Sequence, residues 1–453
     1  MMKTKNYLAF VTIALLISCK DETETLPVIP TPDTSTTVHG QTVIKVMPYP
    51  TGWIAVKETL QPQYLITTPK RDISWLASDF QKTSGYQPPQ DWYLIDAVVH
   101  PSGDVSTAII NIDLKRNSFL AIKIVRINTG GSVVESEIHP LPLSREQTNY
   151  FPGSLDRIRL ESYGEDVFVV ARWNYNQVEA SRFSFYKDQF KLQWQTLVEP
   201  DAFAGTLGII GGGFDNFHQG DQSFFVYSAI DAHGNFYVGV ASHEDILTNH
   251  DKEFNENLSA GADPGSYDFG VAIVTKLSPD GHRKYSNLMG TSNSKRLINM
   301  RVGNESIFLI GRVKTGGQLN SWDAWILAAD ASAGIVKSEF QVDIRDGDMF
   351  WDLTPLSDGR IIAVGTTAYT QNPSGLSVSD ARTATAILLN ASGNKVSEIE
   401  LPQGPVNRGS EAMYVRSLRD GGIIVAGAHN APGTHAEVYA DGFIAIRHLS
   451  AVK

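Results

Sequence analysis

A glycine-centred turn recurs along this 453-residue chain and constrains its fold more than any other feature. Seven such turns can be aligned, and each precedes an apolar run: Thr51-Gly52, Ser102-Gly103, Tyr163-Gly164, His233-Gly234, Val302-Gly303, Asp358-Gly359 and Asp420-Gly421. Glycine suits these positions because it accepts the positive φ that tight hairpin turns require. The turns lie about 61 residues apart on average, between Gly52 and Gly421. This spacing indicates a repeated unit.

A second turn within the unit predicts that each repeat has four strands. The clearest examples are Asn128-Thr129-Gly130-Gly131, Pro279-Asp280-Gly281 and Ser392-Gly393-Asn394, which separate an apolar run from a more polar one. Many short strands joined by regular turns, without helical periodicity, favour an all-β closed array. We therefore predict a seven-bladed β-propeller of four-stranded antiparallel blades. A two-domain β arrangement is the alternative, because the units between Asp156 and Gly220 are irregular.

The two ends of the chain indicate how such a ring would close. The last unit stops at Lys453 after its third strand, and one strand-sized piece is left over around Thr36 to Gly40. A closed array has few exposed strand edges, so a shared last blade is favoured. We predict that an N-terminal strand completes the last blade.

The N-terminus predicts a signal segment. Lys3 and Lys5 precede an apolar run from Leu8 to Ile17, which is too short to span a bilayer. Cys19 follows this run and is the only cysteine, so no intramolecular disulfide can form. An incidental buried thiol is the alternative interpretation. We divide the chain into a signal peptide (1–19), a flexible tether (20–37) and a propeller domain (38–453), because the tether is rich in Pro, Thr, Asp and Glu.

Leu16-Ile17-Ser18-Cys19 resembles the lipobox of bacterial lipoproteins, and Lys20-Asp21-Glu22 resembles the acidic signal that directs lipoproteins of Bacteroidota to the cell surface. The resemblance implies that Cys19 is lipidated and that the protein is an outer membrane lipoprotein facing the cell exterior.

Three internal segments resemble the SBBP and delta-60 families of bacterial β-propeller repeats: DFGVAIVTKLSPDGHRKYSNLMG, SWDAWILAADASAG, and DGGIIVAG with DGFIAIRHL. This resemblance implies the fold only, since these families share no catalytic residues.

Charge excludes one class of partner. The chain has 38 basic and 49 acidic residues, a net charge of −11. Nucleic-acid binding requires clustered Lys and Arg, so we predict no nucleic-acid partner. The membrane is contacted through the lipid anchor.

The long connections between strands should carry function, because loops held by a rigid scaffold tolerate variation. Aromatic rings that stack on sugars and polar groups that bind hydroxyls are the expected ligand-binding residues. The candidates are Trp75, Tyr86, Trp92, Tyr150, Phe214, His218, Arg345, Asp348, Trp351 and Arg408. Packing between adjacent blades is the alternative for each ring.

Metal binding and catalysis are weaker hypotheses. The Ser242–Asp268 segment combines His243 and His250 with several carboxylates, which suits Ca²⁺ or a transition ion, but no ligand spacing organises them. We therefore identify no cofactor and keep Ca²⁺ as the alternative. A base of near-neutral pKa would be needed for a polysaccharide lyase or hydrolase, and the candidates are His218, His243, His429 and His435.

The sequence thus predicts a lipid-anchored surface propeller that presents its loop-rich face to an extracellular glycan or a surface protein. A polysaccharide-active enzyme that uses the same face is the alternative; we lean toward a protein that is not an enzyme. The sequence does not identify the ligand.

Overall fold

Short apolar runs between glycine turns form β-strands throughout the computed structural model. The structure describes residues 42–47, 57–58, 64–67, 72–77, 81–90, 92–113, 118–129, 132–137, 158–174, 177–198, 226–242, 271–289, 295–303, 305–315, 322–345, 347–367, 370–371, 377–378, 382–401, 409–418, 421–430 and 439–448. Every described strand belongs to one compact unit, Thr36–Lys453. The described residues contain no helix long and apolar enough to span a membrane.

The first four sheets follow one another in chain order. Blade 1 contains β2 (Lys57–Glu58), β3 (Tyr64–Thr67), β4 (Ile73–Leu76) and β5 (Lys82–Tyr86). Blade 2 contains β6 (Trp92–Val99), β7 (Val105–Asp113), β8 (Ser118–Ile127) and β9 (Val133–Glu137). Blade 3 contains β10 (Ile158–Tyr163), β11 (Asp166–Asn174), β12 (Gln177–Tyr186) and β13 (Gln189–Leu197). Blade 4 contains β14 (Val226–Ile230), β15 (Phe236–Ser242), β16 (Val271–Leu277) and β17 (Arg283–Met289).

Three further sheets complete the set. Blade 5 contains β18 (Lys295–Gly303), β19 (Ser306–Lys314), β20 (Trp322–Asp330) and β21 (Val336–Val342). Blade 6 contains β22 (Met349–Pro355), β23 (Ile361–Thr367), β26 (Thr383–Leu389) and β27 (Lys395–Ile399), with a small hairpin of β24 (Thr370–Gln371) and β25 (Ser377–Val378). Blade 7 contains β28 (Ser410–Ser417), β29 (Gly422–Asn430), β30 (Tyr439–His448) and β1 (Thr42–Met47). All pairs are antiparallel, which confirms a propeller of four-stranded antiparallel blades.

The glycine turns have one geometry in several blades. In each turn the first residue bonds its N–H to the carbonyl four residues later, and glycine at the fourth position bonds its N–H back to the first carbonyl, as in Leu356–Arg360 and Asn390–Asn394. These glycines have φ between 77° and 87°, a region that other residues avoid: Gly103, Gly234, Gly281, Gly359, Gly393 and Gly421. The turn signal in the sequence is therefore a backbone requirement.

The closing strand exists, but at a different position from the one predicted. Thr42–Met47, rather than Thr36–Gly40, pairs with β30 and forms the outer strand of blade 7. The choice of Thr51-Gly52 as the first turn implies that Thr42–Met47 is the first strand of the first unit, and the pairing with β30 shows that this is wrong. The first strand of blade 1 is Lys57–Glu58, which pairs with Tyr64–Leu65, and Gly52 lies outside the described residues.

Within the part of the chain that the structure describes, seven apolar clusters hold neighbouring sheets together. Four join blades 2 and 3, 3 and 4, 4 and 5, and 5 and 6. A fifth joins blades 6 and 7, and a sixth packs Trp75 of blade 1 against blade 2. The last places Leu76 of blade 1 against Ile424 and Ile444 of blade 7. The interfaces therefore run through all the sheets and return from the last to the first.

Candidate functional site

The two ends of the blades differ in the length of their connections. Antiparallel strands place the links between first and second strands, and between third and fourth strands, at one end. From blade 2 to blade 7 these links contain at most five residues, as in 278–282 between β16 and β17. We call this end the short-turn face. The opposite end, the long-loop face, carries links of 28 residues in 198–225 and in 243–270.

Many of the predicted site residues lie outside the described residues, so their positions stay predictions. They are Cys19, Tyr150, Phe214, His218, His243, Arg408 and His435, together with most of the Ser242–Asp268 segment.

The three aromatic candidates at blades 1 and 2 pack between sheets. Trp75 is 2% exposed and lies in the cluster that joins these blades. Tyr86 and Trp92 are partly buried against the same cluster, and Lys123 Nζ lies 4.8 Å from the centroid of the Trp92 ring. The geometry of Trp75 supports inter-blade packing rather than ligand contact, because its ring does not reach solvent.

His429 also lies inside the protein. Its side chain is 2% exposed in β29, and its ring centroid lies 5.2 Å from that of Phe443 on the neighbouring strand. The register pairs His429 with Asp441. A buried, ring-stacked imidazole gives no support to a role as a solvent-accessible base, so the enzymatic alternative gains nothing from this residue.

The first strands of the blades carry a repeated polar position that sequence reasoning missed. Asp96, Asn299 and Asp352 each follow a β-bulge in the first strand of their sheet. A side-chain oxygen of each accepts the next residue's backbone N–H at 2.9 Å. The available signal was one polar residue interrupting an apolar first strand, as in WYLID.

The same three side chains bind the next sheet. Asp96 Oδ2 accepts the N–H of Leu160 in blade 3 at 2.8 Å. Asn299 Nδ2 donates to the carbonyl of Trp351 in blade 6 at 3.1 Å, and Asp352 Oδ2 accepts the N–H of Val415 in blade 7 at 3.2 Å. These contacts satisfy polar groups at sheet boundaries and fix the sheets relative to one another.

We call these three side chains and their contacts between blades the polar belt. Within it, Asp352 also forms ion pairs. It is fully buried and pairs with Arg301 Nε of blade 5 at 2.7 Å and with Arg416 Nη1 of blade 7 at 2.7 Å. Burial by itself would raise the pKa of Asp352, but the two guanidinium groups hold it below its ordinary value. Trp351 is partly exposed beside it on β22. The arrangement joins blades 5, 6 and 7, which indicates a structural role.

Three carboxylates gather on the long-loop face between blades 5 and 6. Asp323 lies near the start of β20, whereas Asp343 and Asp348 lie at the two ends of the 343–348 link from β21 to β22. One ligand oxygen of each lies within 4.8 Å of the others. Of these, only Asp348 was a predicted site residue, and it is fully buried.

Arg345 is the exposed predicted residue of this region. Its side chain is 57% exposed, and its Nη2 lies 3.9 Å from Glu398 Oε1. The link between blades 5 and 6 therefore combines a solvent-accessible cation with a buried carboxylate.

Comparisons with known proteins assign no family to this chain. No protein-family model matches the sequence, and no curated protein is a significant relative. The SBBP and delta-60 resemblance therefore stays a prediction.

Among solved structures, the chain is similar to a protein of unknown function from Bacteroides caccae (8% identity, 78% of this chain and 92% of that chain covered, TM-score 0.35). It is also similar to YCF48 bound to D1 peptide (10% identity, 93% and 99% covered, TM-score 0.47) and to the WD40 β-propeller domain of Doa1 (9% identity, 90% and 96% covered, TM-score 0.43). Similarity at this level carries no argument about ligands, so the fold assignment rests on the sheets and clusters. The chain is a β-propeller of four-stranded antiparallel blades, a fold suited to a binding or scaffold module.

Proposed function

We propose that this chain is a closed, seven-bladed propeller that is anchored by a lipid at Cys19 and binds an extracellular ligand through its long-loop face. A glycan is the first candidate ligand and a surface protein is the second. The binding module needs no catalytic group.

The observation that carries the proposal is the contrast between the two faces. The short-turn face consists of links of five residues or fewer, and several of them repeat one backbone geometry. Two of its glycines pack closely on the preceding blade, since a Cβ would lie 2.7 Å from the Trp194 ring at Gly281 and 2.3 Å from Cγ of Phe340 at Gly393. A surface made of repeated minimal turns offers little variety for recognition. The opposite face holds the long links, where loop variation is tolerated and recognition is favoured.

The proposed location depends on the N-terminal sequence. Leu16-Ile17-Ser18-Cys19 resembles a lipobox, and the acidic Lys20-Asp21-Glu22 stretch resembles a surface-export signal. An outer membrane position facing the exterior follows from these two resemblances. Replacement of Cys19 by Ser removes the acceptor thiol, so the protein should leave the membrane fraction and lose incorporation of labelled fatty acid.

Binding can be tested with the full chain purified in detergent, applied to a panel of glycans and, in parallel, recovered with cross-linked partners from intact cells. We expect saturable binding to one glycan class or one reproducible protein complex. The informative variant is Arg345→Ala, because Arg345 is exposed on the long-loop face. The matched control is Arg360→Ala, which lies in the 356–360 turn on the short-turn face.

The two variants separate the faces. Loss of binding in Arg345→Ala, with binding retained in Arg360→Ala, supports the proposal. Equal loss in both variants, or loss in Arg360→Ala alone, would place recognition on the wrong face. Failure of every glycan and every partner capture would remove the binding proposal.

A further inference from the structure

The Asp323, Asp343 and Asp348 cluster is unusual because one of its carboxylates is buried while all three have ligand oxygens close together. The three oxygens lie within 4.8 Å of one another, and the group forms where two blades meet on the long-loop face. Asp348 is 0% exposed, whereas Asp343 is exposed and Asp323 is partly exposed. Gathering two further carboxylates around a buried one is unfavourable unless a positive charge compensates them.

A second observation concerns the oxygens of Asp348. Oδ2 accepts the backbone N–H groups of Ile344 at 2.6 Å and Arg345 at 2.8 Å. Oδ1 is buried and has no hydrogen-bond donor among the residues that the structure describes. Burial raises the pKa of Asp348 to about 6, and the charges of Asp343 and Asp323 add to the rise, although the two N–H donors oppose it. Asp348 Oδ1 thus has no donor in the described part of the chain that would offset its burial.

The neighbouring groups hold these carboxylates in place. Gln341 Nε2 donates to Asp323 Oδ2 at 2.5 Å, and Thr315 lies 3.4 Å from Asp323 Oδ1. The N–H of Asp348 donates to the carbonyl of Trp322 at 2.6 Å, which joins the link to β20. Outer contacts of this kind orient ligand oxygens before an ion binds.

We propose that Asp323, Asp343 and Asp348 form a Ca²⁺ site on the long-loop face. Ca²⁺ binds oxygen ligands at about 2.3–2.6 Å, so two ligands on opposite sides of one ion can lie about 5 Å apart. The three oxygens all lie within 4.8 Å of one another, which is inside that span. Mg²⁺ requires a near-ideal octahedron whereas Ca²⁺ accepts irregular oxygen geometry, and a transition ion favours His or Cys ligands, which this group of three lacks.

The ion would tie the 343–348 link, between blades 5 and 6, to the start of β20. Bound Ca²⁺ would therefore fix these two segments of the long-loop face relative to each other, whichever ligand that face binds. A partly exposed site with three carboxylates is expected in the weaker range for Ca²⁺, with Kd of about 10⁻⁴–10⁻³ M.

The experiment is a titration of the full chain, purified in detergent and treated with chelator, with CaCl₂ by calorimetry. We expect one saturable site and, at about 100 times Kd, a Tm increase of about 3 °C. The luminescence of bound terbium provides a second readout. Trp322, which is adjacent to Asp323, can sensitise this luminescence. Asp348→Asn and Asp343→Asn should each weaken binding at least tenfold.

Two features keep the test decisive. Asp343 is exposed, so Asp343→Asn should leave the fold intact even if Asp348→Asn does not. Asp358→Asn, on the short-turn face, is the matched control and should bind Ca²⁺ as the unmodified chain does. Absence of saturable binding by the unmodified chain overturns the proposal. Unchanged affinity in Asp343→Asn also overturns it, because the ion would then lie elsewhere, for example in the acidic Ser242–Asp268 segment.

Discussion

Replacing a turn glycine by alanine should cost different amounts in two turns that share one backbone geometry. Gly359 has φ 86° and Gly393 has φ 81°, and the two turns that contain them form the same pair of backbone hydrogen bonds. A Cβ at Gly359 meets nothing within 4 Å. A Cβ at Gly393 would lie 2.3 Å from Cγ and 2.7 Å from Cβ of Phe340, on the outer strand of the preceding blade. These atoms are at the root of the side chain and cannot swing away.

The magnitudes follow from two separate terms. Left-handed backbone strain for a non-glycine residue is about 1–2 kcal/mol and applies to both variants. Overpacking against Phe340 adds about 1–3 kcal/mol to Gly393→Ala alone. For a unit of the length of Thr36–Lys453 the unfolding entropy makes 1 kcal/mol equivalent to about 1 °C in Tm. We therefore expect Tm to fall by about 1–2 °C in Gly359→Ala and by about 2–5 °C in Gly393→Ala.

Scanning calorimetry of the two variants measures these shifts, and a double-mutant cycle isolates the packing term. In a Phe340→Ala background, Gly393→Ala should cost no more than Gly359→Ala does in the unmodified chain. Equal costs for Gly359→Ala and Gly393→Ala, or an unchanged cost of Gly393→Ala without the Phe340 ring, would refute the reasoning. Either result would mean that the short-turn face is not fixed by contacts between neighbouring blades.

Three further changes test the polar belt, the titration of the core and the anchor. Asp352→Asn leaves two arginines facing a neutral amide and should destabilise the protein by about 3–5 kcal/mol, measured by denaturant unfolding. Asp96→Asn, at the matching position with backbone partners, should cost only about 1–2 kcal/mol, and equal losses would contradict the ionic role. Burial raises the pKa of Glu179 to about 7, above an unfolded value near 4.5. The unfolded chain therefore ionises first as pH rises, and stability falls between about pH 4.5 and 7. Glu179→Gln should then stabilise the fold by up to about 3 kcal/mol at pH 8 and have no effect at pH 4; a pH-independent effect in thermal unfolding would contradict this. Cys19→Ser should move the protein from the membrane to the soluble fraction on cell fractionation, and an unchanged distribution would contradict the lipid anchor.

Local signals were sufficient for the strands of blades 2 to 7. Gly103, Gly234, Gly359 and Gly421 adopt positive φ and mark the start of the second strand in blades 2, 4, 6 and 7. The turn predicted at Gly303 is made instead by Glu305, with φ 59°, because Gly303 is the last residue of β18. The closing of the ring was predictable because the last unit lacks one strand.

Local signals were insufficient where a segment's partner lies far along the chain. The sequence of Thr42–Met47 predicts a strand, but the pairing of this strand with β30 depends on contacts across almost the whole sequence. The first unit was misplaced for this reason. The burial of Trp75 and His429 likewise depends on which sheets pack together, and no short sequence pattern predicts it.

The carboxylate cluster shows the same limit at the level of a site. Asp343 and Asp348 are close in sequence, but Asp323 comes from another strand and is brought to them by the pairing of β20 with β21 and by the hydrogen bond from the Asp348 N–H to the Trp322 carbonyl. Its residues have no conventional ligand spacing in the sequence. Sequence reasoning selected Asp348 as a ligand-binding candidate without its two neighbours.

The claim that recognition belongs to the long-loop face can be tested most directly by hydrogen exchange of the full chain. The chain would be compared free and bound to the glycan or protein recovered by the panel and the capture experiments. We predict slowed exchange in the links of the long-loop face, such as 243–270 and 343–348, with unchanged exchange in turns such as 278–282 and 390–394. Protection confined to the short turns would contradict the account.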